Sequence, residues 1–269
     1  MRQINRVASA LYLLQDAAIS AILPTLSRHI LVACMPKSGS TFLTNAIAHY
    51  PQFRKVMLAP AYDQREQELC QIRLSRYHNR GKFVSQEHVR NSEWTQRLIA
   101  QYGLSPVVLI RDLPDIVVSL RDHVRRESRT TPVAYITQRH AQQSDSELET
   151  TLVRLAIPWY LNFYATWSEA TNALTIRYED LIRTPVATIA DVLRHANIQP
   201  NENHIQQALK ECAGGANRLN VGVAGRGKKL SSSACEAMGQ LMDEYPEFEN
   251  DPYFIRIREM LSTSLASAT

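Results

Sequence analysis

Several short stretches hold residue types that bind anions or move protons. The first is Pro36-Lys37-Ser38-Gly39-Ser40-Thr41-Phe42-Leu43, which follows an apolar run and opens a helical pattern. A helix start presents backbone N–H groups without intrahelical partners and the positive end of the helix dipole. Gly39 permits a tight turn and close backbone approach. Lys37 adds a point charge, and Ser38, Ser40 and Thr41 add hydroxyl donors. Together they make a cradle for phosphate or sulfate. An ordinary turn with a serine cap would use similar residues, but it has no need of the lysine.

Three further stretches can meet anions or bases. In Arg111-Asp112-Leu113-Pro114-Asp115-Ile116-Val117-Val118-Ser119, an arginine ends a strand and a serine stands two turns along the next helix. Such a pair can bracket one anion, though a surface salt bridge has the same composition. In Arg177-Tyr178-Glu179-Asp180-Leu181, a tyrosine closing a strand can meet a purine. In Asn220-Val221-Gly222-Val223-Ala224-Gly225-Arg226-Gly227-Lys228, three glycines and flanking cations make a loop able to fold over an anion. Finally, Ser85-Gln86-Glu87-His88 offers two proton acceptors. The imidazole of His88, neutral near pH 7, is suited to taking a proton from a hydroxyl, although a histidine on a strand is more often structural. Neighbours on a strand face opposite sides, so only one of the two should face the reacting group.

The cradle is not a Walker A loop, because no Gly-Lys-[Ser/Thr] occurs in the chain. Its lysine instead stands two residues before the glycine. That order resembles the 5′-phosphosulfate loop of the sulfotransferases that use 3′-phosphoadenosine 5′-phosphosulfate (PAPS), with PKSGSTFL against PKSGT[ST][WF]L. The Arg111/Ser119 spacing resembles the family's 3′-phosphate segment, and YEDL resembles the segment whose tyrosine lies near the adenine. The late loop is similar to RKGxxGxxK, with Gly222, Gly225 and Lys228 in register. Asn220 and Val221 replace its Arg-Lys, which shifts weight to Arg111 and leaves Arg218 or Arg226 to compensate. The four matches keep the family's order across residues 31–230.

The resemblance implies a donor site of Lys37, Ser38, Gly39, Ser40, Thr41, Phe42, Arg111, Ser119, Tyr178, Gly222, Gly225 and Lys228. It implies catalysis by Lys37 and by His88, the base position of the cytosolic branch. Some carbohydrate sulfotransferases use glutamate instead, which keeps Glu87 in play. Cytosolic relatives carry a lysine two residues before the histidine, where this chain has Gln86. PAPS is the implied co-substrate, with no metal. The acceptor is a small molecule or glycan, an alcohol in preference to a phenol.

Strand-like and helix-like segments alternate, which points to a layered α/β domain with a mostly parallel sheet. Strands are expected at 29–36, 53–59, 82–89, 107–111 and 173–178. Helices are expected at 40–50, 62–80, 92–102, 114–126, 147–171, 185–196 and 201–212, with two more after residue 229. Residues 127–146 lack periodicity and read as a mobile surface segment. Residues 124–146 and the aromatics Trp159, Tyr160 and Tyr164 are expected to frame the acceptor. The family fold, three layers with helices on both faces of a P-loop nucleotide-kinase-like sheet, agrees with this alternation. The expected organisation is one domain over 29–269, preceded by a segment over 1–28. There Val7, Leu11, Leu14, Ala18 and Ile22 form one helical stripe. Asp16 interrupts that stretch, so an amphipathic helix packed on the domain is preferred to a cleaved signal or an interfacial membrane anchor.

Composition sets the outer limits. The 269 residues are 45% hydrophobic and 21% charged, which excludes whole-chain disorder and a polytopic membrane protein. Thirty Lys and Arg against 26 Asp and Glu leave a net +4, too mild to argue for nucleic acid. Cys34, Cys70, Cys212 and Cys235 form no CxxC pair, which suits a reducing compartment, and the cytoplasm is expected. Arg121, Arg125, Arg126 and Arg129 could meet an anionic glycan, although such a run more often marks a solvated face. Two rival classes remain: a small-molecule kinase, with Asp112 in the place of a magnesium-binding aspartate, and a nucleotide-binding protein without turnover.

Overall fold

A computed structural model describes residues 29–61, 67–131, 133–213 and 223–266. The helix expected over 1–28, the start of the 62–80 pattern and Gly222 lie outside the described residues. The strands are β1 (His29–Cys34), β2 (Phe53–Val56), β3 (Lys82–Glu87), β4 (Leu104–Ile110), β5 (Thr130–Thr131), β6 (Ala134–Tyr135) and β7 (Leu174–Arg177). Five of them form one sheet in the order β2-β3-β1-β4-β7, and every pairing in it is parallel. All six residues of β1 are buried, as a central strand covered on both faces requires.

The helices are α1 (Ser40–His49), α2 (Gln71–His78), α3 (Glu93–Tyr102), α4 (Leu113–Arg126), α5 (Gln138–Ala141), α6 (Asp145–Ser168), α7 (Tyr178–Arg183), α8 (Pro185–His195), α9 (Glu202–Ala213), α10 (Ser232–Asp243) and α11 (Pro252–Ala266). Alternation along the strands splits the core in two. Ile30, Val32 and Leu109 pack on Leu43 and Ile47 of α1, Leu193 of α8 and Ile205 of α9. Leu31, Ala33, Phe83 and Val108 face the other way, onto Leu98 of α3, Ile116 of α4, Tyr160 of α6 and Phe254 of α11. Parallel strands put their C-terminal ends on one edge, where ligands of open α/β sheets bind. The Pro36–Leu43 stretch, His88, Arg111 and Tyr178 all leave the sheet at that edge.

The structure corrects three expectations. The 53–59 strand ends at Val56. Among the described residues of 62–80, Gln71–His78 is helical and residues 67–70 are irregular. The 127–146 stretch is not shapeless: it holds the β5–β6 hairpin and α5, with Val133 and Ile136 buried. Two-residue strands are too short to show a period, so their apolar side chains looked isolated. The basic run is largely the solvated face expected, with Arg125, Arg126 and Arg129 exposed and Arg121 half-buried. Arg121 pairs with Glu149, Asp122 and Asp145, and Arg125 pairs with Asp145. Among the described residues, no helix is long and apolar enough to cross a membrane.

Candidate functional site

The cradle is a tight turn between β1 and α1. Lys37 (φ 66°) and Gly39 (φ 81°) are both left-handed, a conformation that is strained for the lysine. A Cβ on Gly39 would lie 2.7 Å from Tyr178 Cδ2, so glycine is required there by space as well as by backbone. Ser38 is buried and its hydroxyl donates to the Met35 carbonyl at 2.5 Å. The first turn of α1 holds no acidic residue, so the positive end of its dipole is not neutralised from within the turn.

Arg111 leaves β4 beside this turn, 5% exposed. Its Nη1 donates to the Lys37 carbonyl at 2.9 Å, which braces the strained residue. Its Nη2 donates to Asp115 Oδ2 and to the Val223 carbonyl, each at 3.3 Å. The guanidinium lies 4.0 Å over the Tyr178 ring. Its Nε is buried and makes no hydrogen bond. Tyr178 opens α7 rather than closing a strand, and burial raises its phenol pKa. The next residue, Asp112, is 1% exposed and ion-paired with Arg177 (2.6 Å) and Arg256 (2.8 Å). Tyr253 of α11 donates to the Arg111 carbonyl at 2.7 Å.

The late loop comes back onto α4. Gly225 N–H donates to Asp115 Oδ2 at 2.8 Å and Gly227 N–H to Asp115 Oδ1 at 2.7 Å. Arg226, Gly227, Lys228 and Lys229 form a 3₁₀ turn in which Arg226 pairs with Asp122 and Lys228 is exposed. Ser119 is buried on α4, two turns after Arg111.

The two candidate bases have different surroundings. His88 is 2% exposed, and its Nδ1 lies 2.8 Å from the Cys34 carbonyl. A carbonyl only accepts, so Nδ1 carries the proton in the neutral ring and Nε2 carries the lone pair. Burial pulls the His88 pKa down to about 4, against a smaller upward pull from the Cys34 carbonyl. The His88 backbone N–H donates to Gln67 Oε1 at 2.6 Å. The Glu87 carboxylate faces away, toward the loop after β2. Its Oε1 accepts from Leu58 N–H at 2.5 Å and its Oε2 from Ala59 N–H at 3.1 Å. Burial pushes its pKa up to about 7 despite those two bonds. Gln86 turns to the α1 side, where Thr44 and Thr41 donate to its Oε1 at 3.3 and 3.5 Å.

Two residues of α6 hold this edge together: Tyr160, which sequence reasoning placed at the acceptor, and Trp167, which it passed over. From α6, Tyr160 donates to the Pro36 carbonyl at 3.2 Å and Trp167 donates to the Val89 carbonyl at 2.9 Å. One helix thus spans the cradle and the segment carrying His88. Tyr160 and Trp159 are built into the core, while Tyr164 donates to Asp251. Asp115, Gly227 and Gln67 carried no signal beyond residue type, because their partners are distant in sequence.

A parallel sheet whose central strand ends in a tight lysine–glycine turn opening a helix defines a P-loop-like α/β protein. The sequence matches the sulfotransferase domain family over residues 27–218, and the chain belongs to that family. In structure it is similar to mouse sulfotransferase SULT7A1 complexed with PAP, at 15% identity and TM-score 0.61, over 91% of this chain and 92% of that one. It is also similar to retinol dehydratase in complex with androsterone and inactive cofactor PAP, at 15% identity and TM-score 0.54, over 88% and 85% of the two chains. A second retinol dehydratase complex, with retinol and PAP, gives 16% identity and TM-score 0.51 over 87% and 86%. At such identities the likeness is one of fold. No curated protein matches the sequence.

Proposed function

We propose that this sulfotransferase moves the sulfuryl group of PAPS to an alcohol hydroxyl, on a small molecule or glycan, with His88 as the base. The observation that carries the base assignment is the bond between His88 Nδ1 and the Cys34 carbonyl. It fixes the ring on the strand that feeds the cradle and assigns the lone pair to Nε2. Glu87 has both carboxylate oxygens engaged by backbone amides, which favours a structural role.

The donor fits the residues present. The cradle offers Lys37 and the first-turn amides of Ser40 and Thr41 to the 5′ end, whereas the Ser38 hydroxyl, expected as a donor, is spent on the Met35 carbonyl. Arg111 has a buried donor with nothing to bind, as an anion site left open would show. We assign it the 3′-phosphate, with Ser119 and Lys228; Gly225, whose N–H is held by Asp115, shapes the loop instead. The acceptor O–H loses its proton to Nε2 as its oxygen attacks sulfur in line. The new O–S bond forms as the bond from sulfur to the 5′-phosphate oxygen breaks. Lys37 stabilises the charge on that leaving oxygen, and adenosine 3′,5′-bisphosphate departs. Positioning and fixed charge supply the acceleration, as in phosphoryl transfer.

The retinol dehydratase complexes hold retinol and androsterone, both alcohols, which supports an alcohol acceptor here. Four free thiols suit the cytoplasm, which we propose as the compartment. The kinase reading loses its footing at Asp112, whose carboxylate is tied to two arginines instead of being open to magnesium. The test is a thermal-shift titration with adenosine 3′,5′-bisphosphate without magnesium, followed by turnover of labelled PAPS on a panel of alcohols. Stabilisation and turnover are expected. Larger shifts with magnesium-ATP, and no sulfated product, would overturn the proposal.

A further inference from the structure

We propose that Asp115 is a positioning residue for the donor's 3′-phosphate, drawing Arg111 and the late glycine loop into one cradle. The inference rests on the reading that Arg111 holds that phosphate. Asp115 stands one helical turn after Arg111 on α4 and is fully buried. Its Oδ1 accepts from Gly227 N–H at 2.7 Å. Its Oδ2 accepts from Gly225 N–H at 2.8 Å and from Arg111 Nη2 at 3.3 Å. A single carboxylate thus joins an arginine at a strand end to two amides lying 110 and 112 residues further along the chain.

The loop is shaped for this contact. A Cβ on Gly227 would lie 2.4 Å from Pro114 Cβ and 2.9 Å from the Asp115 nitrogen, so only glycine lets the loop press onto the first turn of α4. Gly225 is left-handed, with φ 82°. The loop also returns a carbonyl, that of Val223, to Arg111. Three fixed acceptors hold the guanidinium over Tyr178, and its buried Nε stays unmet. An arginine locked in place with an unmet donor loses little freedom when an anion arrives. A carboxylate repels phosphate, so Asp115 acts through Arg111 and the loop and does not bind the phosphate itself.

Isothermal titration with two probes separates this role from plain stability. Adenosine 3′,5′-bisphosphate reads the 3′ cradle, and adenosine 5′-monophosphate lacks it. Asp115→Asn and Asp115→Ala should each weaken the bisphosphate about tenfold and the monophosphate less than about twofold, with kcat at saturating donor nearly kept. Gly227→Ala attacks the same contact from the loop side and should show the same selectivity, which keeps the test valid if Asp115→Ala does not fold. In the pair Arg111→Ala/Asp115→Asn the losses should fall short of additive. Equal losses for both nucleotides, or no loss in any of the three variants, would overturn the proposal. If Arg111→Ala itself weakens both probes equally, the underlying 3′-phosphate reading fails. If Arg111→Ala is selective while the Asp115 and Gly227 variants are not, only the positioning role fails.

Discussion

The pH dependence of turnover separates the two candidate bases without altering the protein. His88 titrates at about 4 because burial disfavours its charged form, and Glu87 titrates at about 7 for the same reason. A base works only when unprotonated. At pH 5.5 about 0.97 of His88 is in that form, against about 0.03 of Glu87, from their separations of roughly 1.5 units on either side. Initial rates should be measured with both substrates well below KM, so that the profile reports the free enzyme. With His88 as base the rate stays flat from pH 8 to 5.5. With Glu87 as base it falls roughly thirtyfold over the same range. His88→Gln should lower kcat about 100- to 10,000-fold at every pH while leaving adenosine 3′,5′-bisphosphate affinity nearly unchanged. A limb near pH 7 that vanishes in Glu87→Gln, together with an active His88→Gln, would refute the assignment.

Other outcomes follow from the same geometry. Gly39→Ala combines a left-handed φ with a Cβ 2.7 Å from the Tyr178 ring; thermal melts should show a loss of at least about 1 kcal/mol, and titration should show weakened nucleotide binding. Trp167→Phe keeps the ring but strips the donor from the buried Val89 carbonyl; it should cost about 1–3 kcal/mol in chemical denaturation and lower kcat more than donor affinity. Acid should destabilise the fold. His29 and His88 have folded pKa values near 4, whereas the unfolded chain takes up protons from about 6.5 downward. Unfolding is therefore favoured as pH falls through that window. Glu87, raised to about 7, opposes the trend, since its share of stability is lost as pH rises from 4.5 to 7. Two histidines outweigh one glutamate, so the melting temperature should drop by a few degrees between pH 7 and 5, and by less in His29→Gln.

The turn between β1 and α1 was legible in sequence because its parts are local. A buried strand, a lysine, a glycine and a helix start lie within a dozen residues, and strand-to-helix turns carry their geometry in residue type. The five sheet strands were legible for a similar reason: runs such as HILVAC and VVLI are long enough to show full burial. The opposite facing of Gln86 and Glu87 follows from the strand's two-residue period alone.

What each face meets was decided by tertiary structure. Glu87 became a loop anchor because β2 pairs beside β3 and brings the Leu58 and Ala59 amides to it. His88 acquired its tautomer from the Cys34 carbonyl of β1, 54 residues earlier. Asp115 read as one more acidic residue in a helix's first turn until the late loop closed on it. The hairpin after α4 has strands of two residues, below any period that sequence can display, and the burial of its Val133 and Ile136 came from the elements packed around it. Local patterns specify the elements and the cradle between them. Long-range contacts choose which oxygen, amide or ring nitrogen each side chain meets, because those partners are brought together only by the order in which the strands assemble.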